Sequence, residues 1–268
     1  MRKIFPSEKD FLALKRVTVD QEIIECKQPQ NYKNCVVRKP WGYEYLLFEN
    51  ELVAIWSLRI NGKHATSMHC HPLKKTSLIL LSGEALCNTL LHRNYLSALD
   101  GLTLEKAVFH STKALSLNGI EVIEVETPPN KTDLVRLNDS YGREGHGYEG
   151  TSEMETEDLR RFNYFYFEEL SLKEKKIHFG ETYALLMETF FDNRHFQNTF
   201  HINEREIYCL CRGQILNFQN QVLFDIGDIF SGSLLKKETS LKIQERVVLL
   251  TARQKNRIVS NNNENYTG

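Results

Sequence analysis

Three of the nine histidines in this chain stand apart from the rest. His69 and His71 alternate at the end of the stretch Gly62-Lys63-His64-Ala65-Thr66-Ser67-Met68-His69-Cys70-His71. In a strand, alternate residues share a face, so these two imidazoles project together, ~7 Å apart, while Met68 and Cys70 point the other way. Such a pair can grip one metal ion if a neighbouring strand adds a third ligand. His110 is the candidate, because it follows the turn-like Asp100-Gly101 and an intervening strand pattern and precedes an apolar strand at 120–125. The competing reading is a polar strand face with solvated histidines. Lys74 and Lys75, in the turn after the pair, either attract an anionic ligand or form a solvated hairpin charge pair.

The elements that must position these residues read as β. Short segments rich in branched and aromatic residues, at 43–48, 52–60, 77–82, 120–125, 206–211 and 221–224, are separated by Gly, Asn, Asp and Pro. Helical periodicity is expected mainly at 7–17, with a second stretch around 155–161. Many short strands with few helices indicate a sandwich or barrel rather than βαβ units. The Gly- and acid-rich stretch 142–158 carries no strand pattern and reads as a linker. Residues 162–167, Phe-Asn-Tyr-Phe-Tyr-Phe, alternate like a strand packing on another barrel or a second subunit. Within the linker, Gly145-His146-Gly147-Tyr148-Glu149-Gly150 satisfies the letters of a dinucleotide fingerprint. It lacks the preceding strand and following helix, and the acidic residues after it would repel phosphate.

Composition narrows the classes. A length of 268 residues suits two domains or one large one, and 41% apolar with 26% charged residues excludes wholesale disorder. A net charge of −1 offers no footprint for wrapping nucleic acid. No apolar run approaches the ~20 residues of a membrane span, and Met1-Arg2-Lys3 is not followed by an apolar signal core, so a soluble cytoplasmic protein is expected. The six cysteines, Cys26, Cys35, Cys70, Cys87, Cys209 and Cys211, form no CxxC pair and are expected to be buried thiols.

The frame around the histidines resembles the cupin pattern, in which a Gly precedes HxH, a Glu follows after four residues and a Gly after six more. Here the frame is Gly62, His69, His71, Thr76 and Gly83, with Thr76 in place of the glutamate. His110 matches the histidine of the second cupin motif, whose usual Pro and Gly stand as Glu105 and Ala107. Lys39-Pro40-Trp41-Gly42 before this region, and 133–143 (Asp-Leu-Val-Arg-Leu-Asn-Asp-Ser-Tyr-Gly-Arg) after it, resemble the bounds of the cupin domain in type II mannose-6-phosphate isomerases. The C-terminal half repeats the frame faintly. His201, Glu206 and Gly213 keep the His-x4-Glu-x6-Gly spacing, Thr199 replaces the first histidine, Asp225-Ile226-Gly227 matches Pro-x-Gly, and Phe230 falls at the last histidine.

The resemblance implies an all-β chain of two cupin-type double-stranded β-helix (jelly-roll) barrels, the second degenerate, with a short N-terminal helical extension. The expected bounds are an extension at 1–35, a metal-binding barrel at 36–143, a linker at 144–160, the degenerate barrel at 161–260 and a disordered tail at 261–268. It further implies that His69, His71 and His110 hold one divalent metal ion, Zn, Mn, Fe or Ni. Arg143 becomes a substrate-facing catalytic cation, with Lys39, Trp41, Arg136 and Tyr141 in the substrate-binding motifs. Core packing remains an alternative for Trp41 and Tyr141, and a salt bridge for Arg136. The general acid/base is open between Glu44 and Glu84. The implied ligand is a phosphorylated or nucleotide-linked sugar, and the activity an isomerase or epimerase in surface-polysaccharide sugar synthesis. A non-catalytic sugar-phosphate-binding bicupin and an Fe(II) oxygenase or lyase are the alternatives. A homodimer is compatible with each.

Overall fold

The computed structural model describes residues 1–20, 27–29, 31–168, 175–238 and 240–255. Cys26 and the tail at 261–268 lie outside them. The first unit runs β1 (Arg2–Ile4), α1 (Glu8–Asp20), β2 (Val36–Lys39), β3 (Gly42–Glu49), β4 (Ala54–Ile60), β5 (Met68–Cys70) and β6 (Lys75–Ser82). It continues through β7 (Glu84–Thr89), β8 (Arg93–Ser97), β9 (Gly101–Leu104), β10 (His110–Ala114), β11 (Ile120–Thr127), β12 (Val135–Asn138) and β13 (Met154–Glu155). These strands form an eight-stranded sheet, ordered β1-β9-β6-β11-β4-β3-β2-β13, and a five-stranded sheet, ordered β12-β5-β10-β7-β8.

Strand periodicity sorts the large sheet into two buried faces. Leu46, Trp56, Leu58, Leu78, Leu80 and Val122 point inward between the two sheets. Their neighbours Leu47, Ile55, Ile79, Leu81, Ile123 and Val125 point outward, into a second core shared with the C-terminal half. A sheet covered on both sides needs continuous apolar runs, which is why 78–81 reads Leu-Ile-Leu-Leu. The same parity puts Glu44, Thr76, Glu124 and Glu126 on the inward face.

Behind the small sheet, α1 acts as a brace. Its Val17, with Ala13 and Leu14, packs on Cys70, Phe109 and Val135, the outward residues beside the three histidines. Ser7 and Asp10 cap the helix reciprocally, the Ser7 N–H donating to Asp10 Oδ2 at 2.7 Å. Asp10 Oδ1 also accepts from the Phe109 N–H at 2.9 Å, fastening the helix to the residue preceding His110.

The second unit runs β14 (Lys176–Phe179), β15 (Tyr183–Phe190), α2 (Asn193–Thr199), β16 (Ile207–Arg212), β17 (Ile215–Leu216), β18 (Val222–Phe224), β19 (Ile229–Ser231), α3 (Gly232–Leu235), β20 (Lys242–Ile243) and β21 (Val247–Gln254). Its sheets are ordered β14-β15-β21-β16-β19 and β18-β17-β20. The first order repeats β3-β4-β11-β6-β9 and the second repeats β8-β7-β10, strand for strand. Gly83 and Gly213 sit at matching hairpins with φ of +80° and +77°. A Cβ there would meet backbone oxygens at 2.9 and 2.5 Å, so both turns require glycine. The counterpart of β5, the strand that carries His69, is missing from the described residues, and α2 with the following loop lies there instead.

Three expectations change. The stretch around 155–161 forms a single 3₁₀ turn, Leu159–Phe162, instead of an α-helix. Residues 163–168 are not a strand, yet Phe167 is fully buried in the core between the units, so the aromatic alternation marks packing without pairing. Phe230 is not at a histidine position. It lies in β19, the counterpart of β9, and pairs with Tyr208. The Leu210 N–H to Asp228 O bond repeats Leu80 to Asp100, which places 225–227 one turn earlier than the spacing suggested. The five described cysteines are free and buried, as expected.

Candidate metal centre

His69 and Cys70 lie in β5, with His71 just after it, and His110 opens β10 directly opposite His69 across the antiparallel ladder. The register therefore brings the third histidine beside the first two. Ring centroids are 4.5 Å apart for His69–His110, 5.0 Å for His69–His71 and 5.5 Å for His71–His110. One nitrogen from each lies within 4.8 Å of the others, and all three side chains are buried.

The second nitrogen of each ring is spoken for. Nδ1 of His69 donates to the Ser67 carbonyl at 2.8 Å, that of His71 to Asp133 O at 2.5 Å, and that of His110 to Val108 O at 3.0 Å. These bonds place the proton on Nδ1 and leave the Nε2 lone pair free, the tautomer a metal ligand needs. Nε2 of His71 and of His110 is buried without a partner. Two orphaned buried nitrogens converging with a third imidazole fit a divalent transition ion and are costly otherwise. Thr76, at the place of the usual glutamate, is buried with its hydroxyl unpartnered and supplies no carboxylate.

The rest of the interior is an ion-pair lattice. Lys131 reaches Glu126 at 3.0 Å, Glu44 at 3.1 Å and Glu124 at 4.0 Å, with its ammonium 3.8 Å over the Trp56 ring. Lys74 is 1% exposed and pairs with Glu126 at 2.9 Å. It is thus an interior cation, whereas Lys75 leaves the barrel to pair with Asp228 of the second unit at 2.8 Å. Burial would raise the Glu44 carboxyl, but Lys131, Lys39 and the Tyr148 hydroxyl outweigh it and hold Glu44 at about 2. Burial raises Glu124 above the usual carboxylate range, Lys131 opposes that, and the charges of Glu126 and Glu44 add to it. Of the three glutamates around Lys131, Glu124 alone is shifted towards the protonated form.

Free space of about 50 Å³ remains between the histidines and this lattice. Glu44, Glu124, Glu126, His69, His71, Lys39, Trp41, Arg136 and Arg143 all border it. Tyr141 does not. Its hydroxyl donates to the Ala65 carbonyl at 3.1 Å, so it ties down the loop before β5. Glu84 is exposed at the start of β7, outside the interior, because it follows the Gly83 turn at the far end of the hairpin. Trp41 is 4% exposed and belongs to the core as well as the cavity wall. Sequence reasoning missed Glu124, Glu126 and Lys131. For the two glutamates the signal was inward parity with Val122 along β11.

Lys39, Arg136 and Arg143 converge, but on a residue of the chain. Glu149 Oε1 accepts from Arg143 at 2.5 Å and from Arg136 at 3.1 Å, and its other oxygen pairs with Lys39. Asp139 also holds Arg143 through two bonds of 2.8 and 2.9 Å. The stretch 144–160 is therefore no slack tether: Tyr148 and Glu149 are buried, and β13 pairs with β2.

The first unit is a cupin-type double-stranded β-helix. Its strand order and three converging histidines carry that statement. No family model matches the chain, and no curated protein does. Among solved structures, the chain is similar to KdgF from a Halomonas species, at 14% identity and TM-score 0.33, over 34% of this chain and 84% of that one. It is also similar to the capsular polysaccharide assembling protein CapF from Staphylococcus aureus, at 14% identity and TM-score 0.35, over 39% and 34%. A sugar phosphate isomerase (so described, as putative, in its own structure) from Acidithiobacillus ferrooxidans aligns at 15% identity and TM-score 0.29, over 32% and 56%. These partial likenesses do not bear on what this chain binds. In the second unit, His201 is exposed, and the described residues there form no comparable cluster. No described helix is long and apolar enough to cross a membrane.

The buried imidazoles make acid stability a direct readout. Burial holds all three below the usual histidine value, with His110 at about 4 against 6.5. Above pH 6.5 neither state is protonated there; between 6.5 and 4 the unfolded chain takes up protons that the native cluster refuses. Stability of the metal-free protein therefore falls as pH falls through that window, by about 3 kcal/mol for His110 alone. Urea midpoints measured with a chelator present should drop accordingly, and less steeply in His110→Gln. Identical slopes in the two proteins would contradict the assignment.

Proposed function

We propose that the first barrel is a divalent-metal site catalysing proton transfer on a phosphorylated or nucleotide-linked sugar, in the manner of an isomerase or epimerase. The observation that carries this reading is one small interior space bordered both by His69 and His71 of the three-imidazole cluster and by Glu124, a buried carboxyl shifted towards the protonated form. When bound by the histidines, a divalent ion supplies Lewis acidity towards a sugar hydroxyl or carbonyl. Glu124 is then the group able to take and return a proton near neutral pH, since Glu44 and Glu126 are held ionised by lysines. Lys39, Arg136 and Arg143 provide charge-assisted hydrogen bonds suited to a phosphate. A purely binding role would not require a carboxyl in this state, which favours catalysis over the non-catalytic alternative.

The test is solvent isotope exchange. Metal-loaded protein incubated with aldose and ketose phosphates in D₂O should place deuterium on the carbon next to the carbonyl. Glu124→Gln should slow that exchange by roughly 10²–10⁴-fold while leaving metal content unchanged. Exchange at the wild-type rate in Glu124→Gln would remove Glu124 from the mechanism.

A further inference from the structure

The stretch 145–150 carries Tyr148 and Glu149 into the barrel mouth, where they are 4% and 8% exposed. Glu149 is the meeting point of Lys39, Arg136 and Arg143, the cations just assigned to a ligand phosphate. Arg136 also donates to the backbone carbonyls of His146 and Gly147. A closed segment of this chain thus offers the three cations a carboxylate and two carbonyl oxygens, an arrangement close to what a phosphate group would offer. The space behind it is about 50 Å³, while the groove in front, bordered by the same three cations, measures about 470 Å³.

We infer that Glu149 is an internal stand-in for the ligand's anionic group, and that a phosphate monoester binds by displacing it from Lys39, Arg136 and Arg143. This rests on the reading of those cations given above. Charge favours the exchange. The three cations face Asp139 on Arg143 and Glu149 itself, while Glu44, 3.3 Å from Lys39, is matched by Lys131. One positive charge is left over with a carboxylate in place, and none with a phosphate dianion, whose charge at pH 7 is about −1.5 to −2. A ligand carboxylate gains nothing over Glu149, so the site selects phosphate.

Glycines give the segment places to hinge. Gly145, Gly147 and Gly150 punctuate it, and Gly145 already sits at φ +74°. Opposing release are the Tyr148 hydroxyl on Glu44 and the Tyr148 ring against Tyr32 and Trp56, with centroids 5.8 and 6.5 Å away. These contacts return the segment when the ligand leaves. Displacement also unites the outer groove with the interior, which gives a sugar access to the histidines.

Inorganic phosphate is the probe, titrated calorimetrically into the full chain. Glu149→Gln keeps the shape and removes the competing charge, so it should bind phosphate at least tenfold more tightly than wild type. Adding Arg143→Ala should abolish that gain. In wild type, phosphate should also speed cleavage after Glu149 by a glutamate-specific protease. A Glu149→Gln protein with unchanged phosphate affinity overturns the inference. Should that variant fail to fold, a wild-type cleavage rate independent of phosphate overturns it and an accelerated rate supports it. Metal content separates this from the functional reading: phosphate gain without metal leaves the stand-in intact and removes the enzyme, and metal without phosphate gain does the reverse.

Discussion

Purified without a chelating tag, the protein is expected to hold one equivalent of a divalent transition metal, and His69→Ala is expected to lose it. All three histidines present an Nε2 lone pair to one point, two of them buried without any other partner. Two imidazoles make a weaker grip, because Thr76 brings no charge and Lys74 and Lys131 hold the Glu126 carboxylate through Oε1. The loss in affinity should exceed the roughly 10–100-fold typical of removing a group that merely orients a ligand. His71→Ala and His110→Ala should behave alike. His64→Ala is the control: its Nδ1 bonds to the Gly62 carbonyl and its ring stacks on Tyr141, away from the cluster. Elemental analysis with competitive chelator titration reads all four. Equal metal content in His69→Ala and His64→Ala would end the metal reading.

The second large effect concerns folding. Lys131→Met should destabilise the protein by roughly 3–5 kcal/mol, because it leaves a group of buried carboxylates one counter-charge short. Lys131 is the group that neutralises Glu44 and Glu126 together, and burial otherwise opposes both charges. For a chain of this size that corresponds to a fall in Tm on the order of 10 °C. Glu126 keeps Lys74 and Glu44 keeps Lys39, 3.3 Å away, so each carboxylate loses one of two cations. A Lys131→Met, Glu44→Gln double variant should therefore recover part of it. Thermal unfolding followed by circular dichroism measures this, and a Tm within about 2 °C of wild type would show the lattice to be energetically idle.

Much of the architecture was legible from strand periodicity and turn residues. The strands at 43–48, 52–60, 77–82, 120–125, 206–211 and 221–224 each fall within or beside an observed one, and the N-terminal helix is where its periodicity placed it. The histidine cluster was legible because i, i+2 spacing in a strand leaves little freedom in where the rings point. The second unit's register was not. Spacing alone placed Phe230 one strand too late, since the missing counterpart of β5 removes the landmark from which to count.

What the sequence determined by itself was therefore local: which segments extend, which residues share a face, and that three imidazoles are available to one ion. The tertiary structure decided what those faces confront. Arg136 and Arg143 are basic on any reading, but only the folded chain shows their charge already answered by Glu149, a residue from a stretch that looked like a solvated linker. Glu124 and Glu126 look like ordinary strand charges until the barrel closes around them. Burial and pairing then drive one carboxyl towards protonation and hold the other ionised. Alternation is a property of neighbours along the chain and can be read there. Desolvation and charge compensation depend on residues separated in sequence, such as Glu44, Lys131 and Tyr148, and exist only once the fold has brought them together.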